Sequence, residues 1–166
     1  MILICYDGSD DAKAAIKRIG ALMPGVSATV LTVWEPFSSV ASGSPKGRLS
    51  PLAVITNVDD ANDKMQAEAR DVAAEGTQLA NDAGLKAEPA TDEQGESVAE
   101  AILSGADRLD AELIVLGSRG QGRLSSLLGS VSHRVLQHAD RPVLVIPSAA
   151  VAKHRHELRK AEASAA

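Results

Sequence analysis

Aromatic residues are nearly missing: Tyr6, Trp34 and Phe37 are the only three in 166 residues. Three rings are too few for a base-stacking platform, and they leave the core to be built from Ala, Val, Leu and Ile. Cations are scarce as well. Seventeen Lys and Arg against 22 Asp and Glu give a formal charge of −5, which opposes nonspecific nucleic-acid binding, because that affinity comes from neutralising phosphates. The lone cysteine, Cys5, cannot form an internal disulfide, and its place in the apolar stretch 1–6 reads as a small packed hydrophobe. No run reaches the ~20 apolar residues of a bilayer helix. The first residues lead into a strand-like segment without a basic region, apolar region and cleavage site. The expectation is a cytoplasmic protein engaging neither membrane nor nucleic acid.

What is present is 45% hydrophobic and 23% charged, the profile of one soluble domain. Four β-branched apolar runs, residues 2–6, 28–34, 113–116 and 143–146, lack polar alternation and so predict strands covered on both faces. Residues 85–91 are a fifth, weaker candidate, and Pro89 suits an edge position. Segments of helical period lie between them: Ala12, Ala15, Ile16, Ile19 and Leu22; Met65, Ala69, Val72, Leu79 and Ala83; Val98, Ile102, Ala106 and Leu109; Leu128, Val131, Val135 and Ala139. Alternating strands and helices predict an α/β fold, a parallel sheet sandwiched by helices.

Two stretches interrupt this order. Residues 36 to about 62, rich in Ser, Gly, Pro and Asp, read as a long mobile loop: a flap, an interaction loop or disorder. Residues 149–166 form a charged tail whose composition suits a frayed or partner-docked helix outside the core, leaving 1–148 as the domain. Asp59, Asp60 and Asp63 read as acids preceding the second helix, complementing its dipole. His133, His138, His154 and His156 lack the Cys or carboxylates that would complete a metal site, so none is expected.

The chemistry concentrates in Gly117-Ser118-Arg119-Gly120-Gln121-Gly122, at the end of a strand, and in Gly129-Ser130-Val131-Ser132, at a helix start. Glycines let backbone amides approach a ligand, the helix N-terminus favours an anion, Arg119 adds a cation, and Ser130 and Ser132 add hydroxyls. The loop Asp7-Gly8-Ser9-Asp10 ends at the same sheet edge, where ligands of open parallel sheets lodge. Neither the dinucleotide G-x-G-x-x-G, the Walker pattern nor a nucleophile elbow occurs. On spacing alone, glycines that only turn the chain remain the lesser alternative.

In sequence order, Ile2-Leu3-Ile4-Cys5-Tyr6-Asp7-Gly8-Ser9, Leu113-Ile114-Val115-Leu116-Gly117-Ser118-Arg119-Gly120, Gly129-Ser130-Val131-Ser132 and Arg141-Pro142-Val143-Leu144-Val145-Ile146 resemble the universal stress protein family over about residues 1–147. The resemblance implies a five-stranded parallel α/β sandwich, Rossmann-like and similar to the adenine nucleotide alpha-hydrolases. It implies a homodimer, commonly formed through the last strand. In the nucleotide-binding branch it also implies ATP, or ADP, AMP or cyclic AMP, with Mg²⁺ held chiefly by phosphates and water and Asp7 a contributor. Position by position it implies Asp7 and Val33 at the adenosine, Leu116 lining the nucleoside side, and Gly117, Arg119 and Gly120 in the first half of the phosphate loop. Gly129, Ser130, Val131 and Ser132 form the second half. The family spacing G-x2-G-x9-G-[ST] is one residue short here, since eight residues, Gln121 to Leu128, separate Gly120 from Gly129. The function implied is a stress-response module whose nucleotide occupancy alters its contacts with a protein partner. The alternatives are a weak ATP hydrolase or other ATP-using enzyme, and a non-binding scaffold dimer.

Overall fold

The computed structural model describes residues 1–37, 58–119 and 128–165. Five strands, β1 (Ile2–Cys5), β2 (Ser27–Trp34), β3 (Lys86–Glu93), β4 (Leu113–Gly117) and β5 (Val143–Ile146), form one parallel sheet in the order β3-β2-β1-β4-β5. The helices are α1 (Asp10–Leu22), α2 (Val58–Asp82), α3 (Val98–Arg108), α4 (Ser130–His138) and α5 (Ala149–Ala165). The chain runs outward from β1 to β3, then returns to β4 on the other side. In open parallel sheets such a reversal is where ligands lodge, here between the carboxyl ends of β1 and β4.

Side chains of each strand alternate between two cores. Ile2 and Ile4 of β1, Val30 of β2 and Val115 of β4 meet Ala12, Ile16 and Ile19 of α1 and Ala80 of α2. Leu3, Leu31, Ile114 and Leu116 point the other way, onto Ile102 and Ala106 of α3 and Val135 of α4. The near-continuous hydrophobicity of the strand sequences is this two-sided burial. Cys5 and Val33 pack against the second cluster, the place expected for Cys5.

β3 lies at an edge, as Pro89 suggested, and extends past the sequence reading to Glu93. Its pairing with β2 runs from Ser27↔Lys86 to Trp34↔Glu93, and Arg108 at the end of α3 reaches Asp92 at 2.7 Å. Arg141, ahead of β5, donates to the carbonyls of Ala106 and Ala111, each at 2.9 Å, and so anchors the α3–β4 connection to the last strand.

The reading of residues 36 to about 62 as loop is corrected at its far end: α2 already begins at Val58. Asp59, Asp60 and Asp63 lie inside that helix, and the first two complement the dipole of its first turn. The Phe37 amide donates to Asn62 Oδ1 at 2.9 Å, tying the start of the expected loop to the helix. The rest of that loop, residues 38–57, lies outside the described residues. The charged tail is helical as α5, and Val151 in its first turn is buried. Among the described residues no helix is long and apolar enough to cross a membrane.

Gly76 of α2 tests the packing. Intrinsic propensity favours alanine there by about 1 kcal/mol, but a Cβ would stand 2.6 Å from Tyr6 Cδ1 and 2.9 Å from Val30 Cγ1. Overpacking costs about 1–3 kcal/mol. The expected outcome for Gly76→Ala is net destabilisation, read as a lower urea midpoint; an unchanged or raised midpoint contradicts this packing.

Candidate functional site

Two turns flank the crevice. The first leaves β1 through Tyr6, whose amide donates to Leu31 O and whose carbonyl accepts from the Thr32 hydroxyl, both at 2.9 Å. These bonds carry the β1–β2 pairing one residue beyond β1, so Asp7 and Val33 each follow a residue of a bonded pair. Asp7 then turns the chain, its Oδ1 accepting from the Ser9 amide at 3.0 Å. Ser9 caps α1: its hydroxyl accepts from the Ala12 amide at 3.3 Å.

The second turn leaves β4 through Leu116 and Gly117. Leu116 is 4% exposed and belongs to the core on the α3–α4 side, the same sheet face as Val33. Gly117 pairs with Ile146 of β5 and is pressed against α1: a Cβ would lie 2.8 Å from Ala12 N and 2.8 Å from the Asp11 carbonyl carbon. Only glycine lets the turn sit this close.

Ser118, 0% exposed, fastens the turn on three sides. Its amide donates to Ile146 O at 2.9 Å, its hydroxyl donates to Asp11 Oδ2 at 2.6 Å, and its carbonyl accepts from the Gly129 amide at 2.8 Å. The Ser132 hydroxyl also points at this carbonyl, 3.2 Å away, with Gly129 O at 3.0 Å. The start of α4 is thereby seated beside the end of β4, although ten residues separate Ser118 from Gly129.

The ten expected site residues fare differently. Asp7, Val33, Leu116, Gly117, Arg119, Gly129, Ser130, Val131 and Ser132 lie around the carboxyl ends of β1, β2 and β4 and the start of α4. Gly120 lies outside the described residues. Two expected donors are already committed: the Gly129 amide to Ser118, and the Ser132 hydroxyl to backbone carbonyls. Val131 packs its side chain into the core. What this segment offers an anion is therefore backbone: the amides of Ser130, Val131 and Ser132, in the helix turn where N–H groups have no intrahelical acceptor. Ser130 is exposed and keeps its hydroxyl at the surface.

Arg119 adds a further donor. Its Nε is buried and meets no hydrogen-bond partner among the described residues, while its carbonyl accepts from the Ser9 hydroxyl at 3.4 Å. A buried guanidinium N–H without an acceptor is costly, and an anion at the loop would relieve it. Ser118 and Asp11 were missed as site-forming residues. A serine between two glycine-loop residues looks like a turn residue, and its partner is 107 positions away. Among the described residues no group of three or more His, Cys, Asp or Glu could hold a metal ion.

Residues 1–147 match the model of the universal stress protein family. A universal stress protein of Thermus aquaticus is 36% identical over 148 residues, covering 87% of this chain and 96% of that protein. The stress response protein NhaX of Bacillus subtilis is 30% identical over 161 residues, covering 87% and 96%. Among solved structures, a protein of the same family from Burkholderia pseudomallei superposes with a TM-score of 0.60 at 25% identity, covering 88% of this chain and 94% of that one. More distant structures, at 18–21% identity, were solved with dAMP (Archaeoglobus fulgidus), with cAMP and with AMP (Arabidopsis thaliana).

Cys5, one residue before the Tyr6–Asp7 turn, gives a check on burial here. Desolvation first, and the Asp7 charge second, push its thiol far above the ordinary range, so the reactive thiolate is suppressed throughout neutral and mildly alkaline pH. The native protein at pH 8 is expected to react with a thiol reagent far more slowly than the urea-unfolded chain; labelling at the rate of free cysteine contradicts the packing. Gly117→Ala is expected to lower the urea midpoint by driving α1 off the turn, at about 1–3 kcal/mol; an unchanged midpoint contradicts the close approach. The strand order, the two-turn crevice and the family match over residues 1–147 agree, and the chain belongs to the universal stress protein family.

Proposed function

We propose that this chain is an adenine-nucleotide-binding regulatory module, holding ATP, or ADP, AMP or cyclic AMP, at the β1–β4 crevice. The observation that carries the reading is the buried Nε of Arg119, without a hydrogen-bond partner among the described residues, in the turn whose Ser118 seats the start of α4. A guanidinium N–H, three helix-terminal amides and the positive end of a helix dipole are a chemistry matched to phosphate. Asp7 and Val33, brought to adjacent strand ends, would take the adenosine, with Leu116 beneath on Val33's face. Mg²⁺ would be held chiefly by phosphates and water, with Asp7 contributing a carboxylate. The relatives solved with dAMP, cAMP and AMP support adenine as the base.

We read the working unit as a cytoplasmic homodimer. β3 is an edge guarded by Pro89 and charged residues, whereas β5 offers Val143, Leu144 and Val145, half-buried, at the other edge with no strand beyond it among the described residues. An apolar edge of this kind calls for cover. Nucleotide occupancy would then alter contacts with a protein partner.

One observation favours the alternative of a non-binding scaffold dimer. The Gly129 amide and the Ser132 hydroxyl, both expected at phosphates, are spent internally, and the sequence between the half-sites is one residue short. Loss of grip would fall first on the outer phosphates, so the account expects nucleoside and first-phosphate contacts to dominate. An enzymatic alternative, slow ATP hydrolysis, is read out by phosphate release.

Thermal shift with ATP, ADP, AMP, cyclic AMP and GTP, with and without Mg²⁺, tests the reading. A ligand at about 100 times its Kd adds about 2.7 kcal/mol, and at this size each kcal/mol moves Tm by about 2–4 °C. The expected rise for adenine nucleotides is about 5–10 °C, with little for GTP. Arg119→Ala is expected to weaken AMP and ATP by about tenfold or more, the worth of one hydrogen bond to a charged group. No shift with millimolar adenine nucleotide supports the scaffold, and preference for GTP overturns the adenine assignment.

A further inference from the structure

The wholly buried Ser118 hydroxyl is committed to a carboxylate at the start of α1. It donates to Asp11 Oδ2 at 2.6 Å, the length of a charge-assisted O–H···O⁻ bond, and Asp11 is itself 6% exposed in the first turn of α1. A second tie runs parallel to it: the Ser9 hydroxyl, which caps α1, lies 3.4 Å from Arg119 O. Gly117, without a Cβ, lets α1 come close enough for both. The carbonyl of the same Ser118 then holds the Gly129 amide and faces the Ser132 hydroxyl. One residue thus couples the first turn of α1 to the first turn of α4.

We propose that Asp11 and Ser118 are a positioning pair for the anion site, setting where Arg119 and the amides of Ser130, Val131 and Ser132 stand relative to one another. The inference rests on the nucleotide reading above and adds residues that touch no ligand. Asp11 cannot be replaced by an apolar group at no cost, because Ser118 would keep a buried hydroxyl without an acceptor. Nor can Ser118, since a buried carboxylate without its donor is costlier still. A merely structural role would weaken all ligands together or only lower stability. A positioning role acts on the phosphate part alone, because Asp7 and Val33, the adenosine contacts, are held by β1 and β2.

The test compares adenosine, AMP and ATP by isothermal titration on the full chain, with folding of each variant verified by circular dichroism. Ser118→Ala is expected to weaken AMP and ATP by about tenfold or more, while adenosine stays within about twofold, as for an independent site. Asp11→Asn, which keeps an acceptor oxygen, is expected to restore most of the phosphate affinity that Asp11→Ala loses. Equal weakening of adenosine and AMP, or no weakening, overturns the proposal.

Hydrogen exchange at the Gly129 amide reads the pair without any ligand. It is expected to quicken by about tenfold or more in Ser118→Ala while β1 amides are unchanged; an unchanged Gly129 rate overturns the pair. If the wild-type protein binds neither adenosine nor AMP, the nucleotide reading falls, and the positioning of the turn is decided by this exchange rate.

Discussion

The organisation of this molecule at its sheet edge depends on one buried hydrogen-bonding residue, Ser118. Every polar group it owns is satisfied inside the protein, and each partner comes from a different element: Ile146 at the end of β5, Asp11 in α1, and Gly129 at the start of α4. In a low-dielectric setting such a junction admits one arrangement, because displacing any partner strands a polar group away from water. The hydrophobic cores set where the strands and helices lie. They do not set how the turn after β4 is aimed, and Ser118 does.

That arrangement explains why the crevice has the chemistry it has. The strand order reverses between β1 and β4, so two turns must face each other, and the absence of a Cβ at Gly117 lets one of them lie directly on α1. With the Gly129 amide drawn back to Ser118, the following three amides stand at a helix N-terminus, where N–H groups have no intrahelical acceptor. Arg119, held by its carbonyl near Ser9, contributes a buried donor to the same neighbourhood. On the proposed reading, backbone, cation and helix dipole act on one phosphate.

Much of the fold was legible in the sequence because burial on two faces leaves a strong mark. Unbroken runs such as Leu113 to Leu116 and Val143 to Ile146 have no other economical explanation, and Pro89 placed β3 at an edge. The beginning of α2 was not legible: Val58, Asp59, Asp60 and Asn62 have loop-like composition, and the tie from the Phe37 amide to Asn62 is tertiary. The positions of the candidate site came from motif resemblance, but the division of labour within it did not come from the motif. That the Ser132 hydroxyl is turned inward, that Val131 serves the core and that Asp11 reaches Ser118 across 107 residues are consequences of packing, which no local pattern records.

The account's central claim is that the junction at Ser118 presents Arg119 and the α4 amides to one phosphate. It is tested most directly by titrating the ¹⁵N-labelled protein with AMP and following individual amide and guanidinium signals. The account predicts that the amides of Ser130, Val131 and Ser132 and the Arg119 Nε–H shift together along one saturating curve, with Asp7 and Val33 following the adenosine. Saturable shifts confined to the opposite, amino-terminal end of the sheet, with those signals unmoved, would contradict it.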